Sequence, residues 1–289
     1  MSKETAYWPK TVDLNPTAKC NLDCSFCWGP DHTIQDRLSL EDCKKILLFF
    51  ANEGTSSVVI TGGEPLLRND IEEILSYAKS IGLQTTLSTN GLLLKAKGDN
   101  VLPYVDDLGI PIDGSTPEKN AKMRLKLGQR SGNMKHLGTA LDAIKTVSEK
   151  NPTISITIRT VASKVNFTDI HAIAELIQRE DLKIDRWKIY QFAPFSIGAA
   201  HFNDHHISDE DFNSLLKRLV KEFPDLPISS QSVQVQSGRY VFVGPQGDIY
   251  GVEGTGKYER IGNIIDDDLE MLAVGILGLS SKEGQASHG

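Results

Sequence analysis

Strand-like and helix-like stretches alternate about six times along the first two thirds of the chain. Short apolar runs rich in β-branched residues are each followed by a segment whose apolar positions recur every three to four residues. Parallel strands need a crossover connection, which a helix supplies, so this alternation favours a parallel α/β architecture of barrel type. A chain of 289 residues can form such a barrel as one domain. The predicted strands are 11–14, 57–61, 83–88, 107–113, 154–161 and 187–192.

The predicted helix boundaries depend on capping residues and apolar spacing. Ser39, with Asp42 three residues later, predicts the start of the first helix, and Asn69 predicts the start of the second. Residues 114–133 contain no clear element. The predicted helices are 40–52, 70–81, 101–104, 134–150, 167–179 and one that follows Ser208 and ends near Pro224.

Polar and cysteine-bearing segments follow the predicted strands directly. In barrels of parallel strands the functional sites lie at the carboxyl ends of the strands, and every candidate motif of this sequence falls at such an end. These motifs are Cys20–Cys27 after the first strand, Gly62–Glu64 after the second, Ser88 and Asn90 after the third, and Asp113 after the fourth.

Cys20, Cys24 and Cys27 have C-x3-C-x2-C spacing in a short segment bracketed by turn-forming residues. A loop with this spacing can fold three thiolates around one centre. Cysteine thiolates are the usual ligands of iron–sulfur clusters, and three ligands to a four-iron cluster leave one iron with an open position. An open position is typical of a catalytic metal site, whereas a structural site is closed.

A zinc site or three ordinary buried thiols would explain the same cysteines. A structural zinc ion needs four ligands, and His32 could complete a Cys3His set. Cys43, the fourth cysteine, lies on the first predicted helix beside apolar residues, so we expect it to pack in the core.

The segment Gly62-Gly63-Glu64-Pro65 follows the second predicted strand. Two glycines at this point let the backbone approach a ligand closely, and Glu64 offers a carboxylate to an amine. Together with C-x3-C-x-aromatic-C one β/α unit earlier, this motif resembles the radical S-adenosylmethionine (SAM) superfamily. The resemblance covers about residues 10 to 195 and implies a partial (β/α)6 TIM-like barrel.

The resemblance implies one 4Fe-4S cluster, ligated by the three cysteines, and SAM as cofactors. The methionine part of SAM would chelate the open iron, with its amine held by Gly62, Gly63 and Glu64, and Phe26 would lie near the adenine. An electron, from a donor such as flavodoxin or ferredoxin, would cleave SAM to a 5′-deoxyadenosyl radical that takes hydrogen from the substrate. No cysteine follows Cys43, so we expect no auxiliary cluster.

Further residues are candidates for binding the cofactor. Ser88 and Asn90 could bind the ribose or carboxylate of SAM, although Thr-Asn-Gly is also a plain turn. Arg124 or Arg130 could pair with the SAM carboxylate, or either could be a solvated surface arginine. The remaining cofactor-binding candidates are Trp28, Asp113 and Phe192.

Lys188 and Tyr190 are the candidate catalytic residues. They are two apart on the sixth predicted strand and so share one face. In the barrel lumen they could meet an anionic substrate and a radical intermediate, and on the outer face they would pack and snorkel. Arg159 on the fifth strand has the same two interpretations. We expect His201, His205 and His206 to lie on a polar surface loop.

The run Arg186-Trp187-Lys188, with residues 127–136, is similar to the viperin-type nucleotide dehydratases. Those enzymes carry Lys-x-Asn on strand five, where this chain has Thr157 and Arg159, and an aromatic C-terminus where this chain has 287–289. The resemblance therefore does not extend to a prediction of triphosphate binding.

The last third of the sequence changes character. After the helix that follows Ser208 come short alternating runs, at 233–235, 240–243 and 247–250, with a hairpin turn at 245–248. We predict a core barrel at 1–195, a small C-terminal α+β appendage at 196–279 that closes the barrel, and a disordered tail at 280–289.

The net charge of −7, from 31 basic and 38 acidic residues, argues against nucleic acid as the main partner. No apolar run reaches the length of a membrane span, and the polar start of the chain does not resemble a signal peptide, so we expect a cytoplasmic protein without membrane contact. The predicted function is a radical SAM enzyme acting on a small polar metabolite, such as a nucleotide, sugar or natural-product intermediate. The alternatives are a peptide-modifying radical SAM enzyme and a non-enzymatic metal-binding or interaction protein.

Overall fold

The computed structural model describes residues 8–124, 134–233, 240–252 and 258–281. The strands are β1 Thr11–Leu14, β2 Ser57–Ile60, β3 Gln84–Ser88, β4 Asp107–Pro111, β5 Ser155–Ala162, β6 Arg186–Gln191, β7 Ile228–Gln231, β8 Val241–Val243, β9 Asp248–Val252 and β10 Tyr258–Asn263. The helices are α1 Leu40–Asn52, α2 Ile71–Ser80, α3 Leu94–Val101, α4 Pro117–Met123, α5 His136–Lys150, α6 Ile170–Arg179, α7 Phe202–His205, α8 Asp209–Glu222 and α9 Leu269–Ser281. Short 3-10 turns lie at Pro65–Leu67, Leu102–Tyr104, Phe167–Asp169 and Ser196–His201.

The described chain divides into two compact units. The first unit contains β1, β2, α1 and α2, together with β8, β9, β10 and α9. The second unit contains the segment Cys20–Gly29 and the elements from α3 to β7. The division at residues 195 and 196 that the sequence suggests remains a prediction.

The strands of the first unit are ordered β10-β9-β8-β1-β2. β1 runs parallel to both β2 and β8, so that Val12 aligns with Val58 on one side and with Val241 on the other. β8, β9 and β10 are antiparallel, and the predicted hairpin turn at 245–248 is confirmed because it joins β8 to β9.

In the second unit β4, β5, β6 and β7 are all parallel. One face of β5 and β6 is buried, and there the indole N–H of Trp187 donates to Thr160 Oγ1 at 2.9 Å. Such a partner lets an indole be buried without losing a hydrogen bond. The opposite face carries Arg159, Lys188 and Tyr190, which are half-buried. The predicted two-faced fifth strand is confirmed.

The helix starts agree with the sequence at α1 and differ at α2. Ser39 and Asp42 form the predicted capping box. The prediction that Asn69 caps the second helix was wrong, because the residue before α2 is Asp70. The carboxylate of Asp70 caps no backbone N–H and pairs with Arg68 at 2.6 Å.

The sequence analysis missed α4, β7 and α9, as well as α3, α7 and β10. The interval 114–133 contains the short helix α4, which begins after Thr116, whose side chain accepts from the Lys119 N–H. Strand β7 lies just before the predicted strand at 233–235, of which residues 234 and 235 are outside the described ranges. Helix α9 is apolar on most sides and has no helical period to detect. It extends to Ser281, and the predicted tail beyond it is outside the described residues.

In the described part of the chain, no helix combines the length and the apolar character that crossing a lipid bilayer requires.

Candidate active site

Backbone N–H groups hold the loop that carries the three cysteines. The N–H of Cys27 donates to the Cys24 carbonyl at 3.0 Å, which closes a turn between these two residues. The N–H of Leu22 lies 3.4 Å from Cys20 Sγ, and the N–H of Gly29 lies 3.3 Å from Cys27 Sγ. Hydrogen bonds to sulfur are among the factors that set the potential of an iron–sulfur cluster.

The chemistry of these three thiols fits a cationic centre. Burial raises the pKa of the Cys24 thiol, and neighbouring Cys27 and Cys20 raise it further against the opposing effect of Arg124. Burial also raises the pKa of Cys27. Without a metal these thiols therefore stay protonated at neutral pH, whereas a coordinated metal binds them as thiolates and removes the mutual repulsion. The donor set fits an iron–sulfur cluster.

The described residues contain no group of three His, Cys, Asp or Glu side chains gathered around one point. In a cluster each thiolate binds a different iron, and the sulfurs need not converge. Cys43 is fully buried on α1, as expected for a packing residue.

Apolar side chains pack around the cysteine loop within the second unit. Buried members of this cluster include Leu22, Phe26, Met123 and Phe192, and Val161 packs against it. Phe26 and Phe192, both predicted to bind the cofactor, therefore lie together beside the loop. Trp28 packs on Phe195, with ring centroids 5.3 Å apart.

Arg124 forms a buried ion pair with Asp113. Its Nη1 atom lies 3.9 Å from Cys24 Sγ, and its guanidinium carbon lies 5.5 Å from the centre of the Phe26 ring. Burial would lower the pKa of Arg124, but Asp113 and Cys24 outweigh that effect and the net shift is upward. Two of the predicted cofactor-binding residues thus form one charged pair beside the cysteine loop. Arg130 lies outside the described residues.

A hydrogen-bonded chain continues from Asp113 through Asn120 to His136 on α5. The N–H of Asp113 donates to Asn120 Oδ1 at 3.0 Å, and Asn120 Nδ2 lies 2.9 Å from His136 Nδ1. Burial, aided by the charge of Arg124, lowers the pKa of His136 from 6.5 to about 3, so this histidine is neutral. Asn90 donates to Asn21 Oδ1 in the cysteine loop at 2.7 Å. Its side-chain oxygen also accepts the Leu92 N–H, so Asn90 both forms a turn and contacts the cysteine loop.

His205 differs from the sequence-based expectation. It was expected on a polar surface loop, but it is 2% exposed and lies at the end of α7. Its Nε2 atom is 2.8 Å from Ser25 Oγ, in the cysteine loop. The expectation was wrong because α7 is only four residues long and the residues around it in the sequence are polar. The sequence therefore contains no periodic pattern that would indicate the burial of His205.

In the first unit, Gly62 and Gly63 pack directly on the backbone that precedes the cysteine loop. The N–H of Gly63 donates to the Thr17 carbonyl at 2.9 Å, and the N–H of Glu64 donates to the Lys19 carbonyl at 2.8 Å. Gly62 has a φ of +109°, and a Cβ on Gly63 would lie 2.5 Å from the Ala18 carbonyl oxygen. Side chains are thus excluded at both glycines.

Glu64 is fully buried, and its Oε1 atom accepts the Leu66 N–H at 3.0 Å. This bond caps the Pro65–Leu67 turn and fixes the orientation of the carboxylate. A buried, oriented carboxylate is suited to binding an amine.

Lys188 and Tyr190 lie on the face of the sheet that packs on the cysteine loop. Tyr190 is in register with Val161, which contacts the loop cluster, and Lys188 is in register with Arg159. Lys188 Nζ lies 4.8 Å from the centre of the Tyr190 ring. Arg159 Nη1 donates to Ser88 Oγ at 2.9 Å. Of the two interpretations that the sequence left open, the inner one agrees with this register.

Comparisons with known proteins place the chain in a family. The sequence model of the Radical SAM superfamily matches residues 14–177, more than half of the 289 residues. An Fe-coproporphyrin III synthase from Methanosarcina barkeri is 30% identical over 197 residues, which cover 67% of this chain and 46% of that protein. An S-adenosylmethionine-dependent nucleotide dehydratase from Selenomonas ruminantium is 27% identical over 264 residues, which cover 89% of this chain and 91% of that protein. This chain therefore spans less than half the length of the first relative and most of the second.

The fold is also that of solved structures. SuiB from Streptococcus suis, in a crystal structure with the precursor peptide SuiA, has a TM-score of 0.72 at 18% identity, and the match covers 98% of this chain and 67% of that one. At this identity the likeness shows the fold alone, which is the expected α/β partial barrel. The chain belongs to the radical SAM superfamily, whose members are enzymes that use a 4Fe-4S cluster and SAM.

Proposed function

We propose that this radical SAM enzyme acts on a small polar metabolite that carries a negative charge, such as a nucleotide or another phosphorylated or carboxylated compound. The observation that carries the proposal is the presence of two cations, Arg159 and Lys188, on one face of the sheet. These cations occupy aligned positions on neighbouring strands, on the face that packs on the cysteine loop. Both are half-buried, where charges are screened less than at the surface, so each would attract an anionic substrate.

The surroundings of Lys188 support this proposal. Its described contact is the face of the Tyr190 ring, and none of the described ion pairs includes it. A lysine that lies over an aromatic ring offers a charged group and a flat apolar surface to a ligand. Lys188 would bind the anion, and Tyr190 would lie beside the reacting part of the substrate.

The roles of the remaining candidates follow the family resemblance. Cys20, Cys24 and Cys27 would ligate the cluster, and Gly62–Glu64 would hold the methionine amine of SAM. When bound, these cofactors supply a 5′-deoxyadenosyl radical for hydrogen abstraction.

The protein would supply binding, orientation and shielding for that chemistry. Three aromatic residues would cover the adenine of SAM: Phe26, Phe192 and Trp28. Four polar or charged residues would orient the rest of SAM: Ser88, Asn90, Asp113 and Arg124.

Flavodoxin or ferredoxin would deliver the electron. The proposal places the reaction in the reducing cytoplasm, where clustered thiols and an open iron persist.

The test is a substrate screen with anaerobically reconstituted protein. Formation of 5′-deoxyadenosine is measured with SAM, dithionite and one compound at a time. The panel contains nucleoside phosphates, sugar phosphates and carboxylic acids, each tested beside its neutral parent, and short peptides. The proposal predicts that an anionic compound stimulates turnover and that its neutral parent does not. Arg159→Gln and Lys188→Gln should each raise KM for that compound while leaving SAM cleavage without substrate unchanged.

Lys183→Gln serves as the matched control, because Lys183 is exposed and pairs with Asp181 on the surface of the same unit. If the neutral parents stimulate turnover as strongly as the anionic compounds do, the proposal of an anionic substrate is overturned. Stimulation by peptides alone would favour the peptide-modifying alternative. A loaded cluster that neither binds nor cleaves SAM would favour a non-enzymatic protein.

A further inference from the structure

We propose that His205 is a positioning residue that anchors the cysteine loop through Ser25 and thereby controls how firmly the cluster is held. The inference rests on membership of the superfamily and on no particular substrate.

Ser25 lies between the second and third cysteines of the motif. Its Oγ atom is 2.8 Å from His205 Nε2. On the other side of the ring, Nδ1 is 3.3 Å from Ser163 Oγ, at the end of β5. The imidazole therefore joins the turn of the cysteine loop to the central strands of its own unit.

The hydrogen-bond pattern assigns a single tautomer to His205. Ser163 Oγ donates to Met123 Sδ at 3.5 Å, so it accepts the proton of His205 Nδ1. Nε2 then carries a lone pair and accepts the hydroxyl proton of Ser25. Every polar atom of this buried chain is satisfied by the neutral imidazole.

The segment that ends at His205 holds the loop at a second point. The N–H of Gly198 donates to the carbonyl of Cys27 at 3.0 Å. The His205 ring itself packs between Phe26 and Phe192, with centroids at 5.9 and 5.3 Å. Burial lowers the pKa of His205, which agrees with a neutral ring.

Loss of the imidazole would free the loop at the turn between Cys24 and Cys27. Ser25 Oγ and Ser163 Oγ would lose their shared partner, and the chelating geometry of the cysteines would loosen. Mutation of a residue that orients metal ligands without binding the metal itself typically lowers metal affinity by about 10- to 100-fold. We expect an effect of this size on cluster retention.

The experiment measures cluster loss to an iron chelator under anaerobic conditions, by the fall in visible absorbance. The variants are His205→Phe, which has an aromatic ring without the two nitrogens, His205→Gln, Ser25→Ala, and the double variant of His205→Phe with Ser25→Ala. His206→Phe is the matched control, because His206 is the exposed neighbour and stacks on Phe202. The midpoint potential of the cluster and the melting temperature of the cluster-free protein are measured alongside.

The proposal predicts about 10-fold or faster cluster loss in His205→Phe and in Ser25→Ala, with no further increase in the double variant. His205→Gln should restore much of the retention, because its amide oxygen can accept from Ser25. The potential should shift in the variants that lose iron faster, and His206→Phe should match wild type in every measurement.

Wild-type retention and potential in both Ser25→Ala and His205→Phe would overturn the proposal. It would also be overturned by variants that lower the melting temperature of the cluster-free protein but release iron at the wild-type rate once folded. If His205→Phe does not fold, Ser25→Ala decides the question alone, because it removes one hydroxyl from a half-buried turn. These readouts require no substrate, so their result is independent of the substrate screen.

Discussion

The guanidinium of Arg159 lies against Gly109 on the neighbouring strand, in space that any side chain at residue 109 would occupy. A Cβ on Gly109 would be 2.7 Å from Arg159 Cζ. The missing side chain lets the arginine lie flat over β4 and reach Ser88 Oγ at 2.9 Å. The place of this positive charge is thus determined by a glycine two residues before the end of β4.

Gly109→Ala should displace Arg159 while leaving the fold intact. The clash involves the far end of a flexible side chain, so its cost should be below the about 1–3 kcal/mol of overpacking in a rigid core. For the anionic compound found in the screen, we expect KM to rise about tenfold, equivalent to roughly 1.4 kcal/mol of lost binding. Steady-state kinetics measure this change. An unchanged KM would show that the position of Arg159 is irrelevant to the substrate.

Gly63→Ala should destabilise the protein more than Gly109→Ala does. The new Cβ would clash with backbone carbonyl groups, which cannot move aside as a flexible side chain can. We expect a loss of at least about 1–3 kcal/mol in the free energy of unfolding, together with weaker SAM binding. Gly138→Ala is the control: a Cβ there meets no atom within 4 Å, and alanine in a helix is favoured over glycine by about 0.8–1 kcal/mol. Denaturant unfolding measures the stability of both variants and of wild type. A Gly63→Ala variant as stable as wild type would contradict the close approach of Gly63 to the backbone carbonyls.

Arg124 and Asp113 should depend on each other. Asp113 is fully buried and the Arg124 side chain is only 11% exposed, so removing one partner leaves an uncompensated charge, which typically costs about 3–5 kcal/mol. Arg124→Gln and Asp113→Asn should each destabilise the protein strongly, and the double variant should cost less than the sum of the two. A double-mutant cycle of unfolding free energies measures this coupling. Additive losses would mean that the pair does not interact.

His136 should make the stability of the protein depend on pH. Its pKa is lowered to about 3 in the folded state, whereas an unfolded histidine titrates near about 6.5. Between these values the unfolded chain binds one more proton at this residue, so folding stability is complete above about pH 6.5 and falls as the pH drops toward 3. The contribution is up to about 1.4 kcal/mol per pH unit.

His136→Gln removes the titrating group while its amide can still meet Asn120. Unfolding free energies of the two proteins between pH 8 and pH 4 should therefore fall less steeply with acid in the variant. Parallel curves would contradict a buried neutral His136.

The parts of the site that follow short-range rules could be predicted from the sequence. The spacing of Cys20, Cys24 and Cys27, the glycines after β2 and the capping box at Ser39 are local patterns, and each has a local physical cause. The alternation along β6 also placed Lys188 and Tyr190 on one face, because side chains alternate strictly along a strand, whereas the register that brings Arg159 to the same face comes from the structure.

The contacts between distant segments could not be predicted in this way. Ser25 and His205 are 180 residues apart, and no spacing rule connects them. The partner of Arg124 depends on α4, a seven-residue helix with few apolar positions and therefore little periodic signal. These contacts arise from the packing of the whole second unit, because polar groups that become buried there need hydrogen-bond or ionic partners.

The most direct test of the central claim is 5′-deoxyadenosine formation by the three-cysteine loop. Wild type, the triple Cys20/Cys24/Cys27→Ala variant and Cys43→Ala are reconstituted anaerobically with iron and sulfide, then given SAM and dithionite. Wild type and Cys43→Ala should each take up one four-iron cluster and form 5′-deoxyadenosine, and the triple variant should do neither. Product formation by the triple variant, or loss of activity in Cys43→Ala with the three-cysteine loop intact, would contradict the assignment.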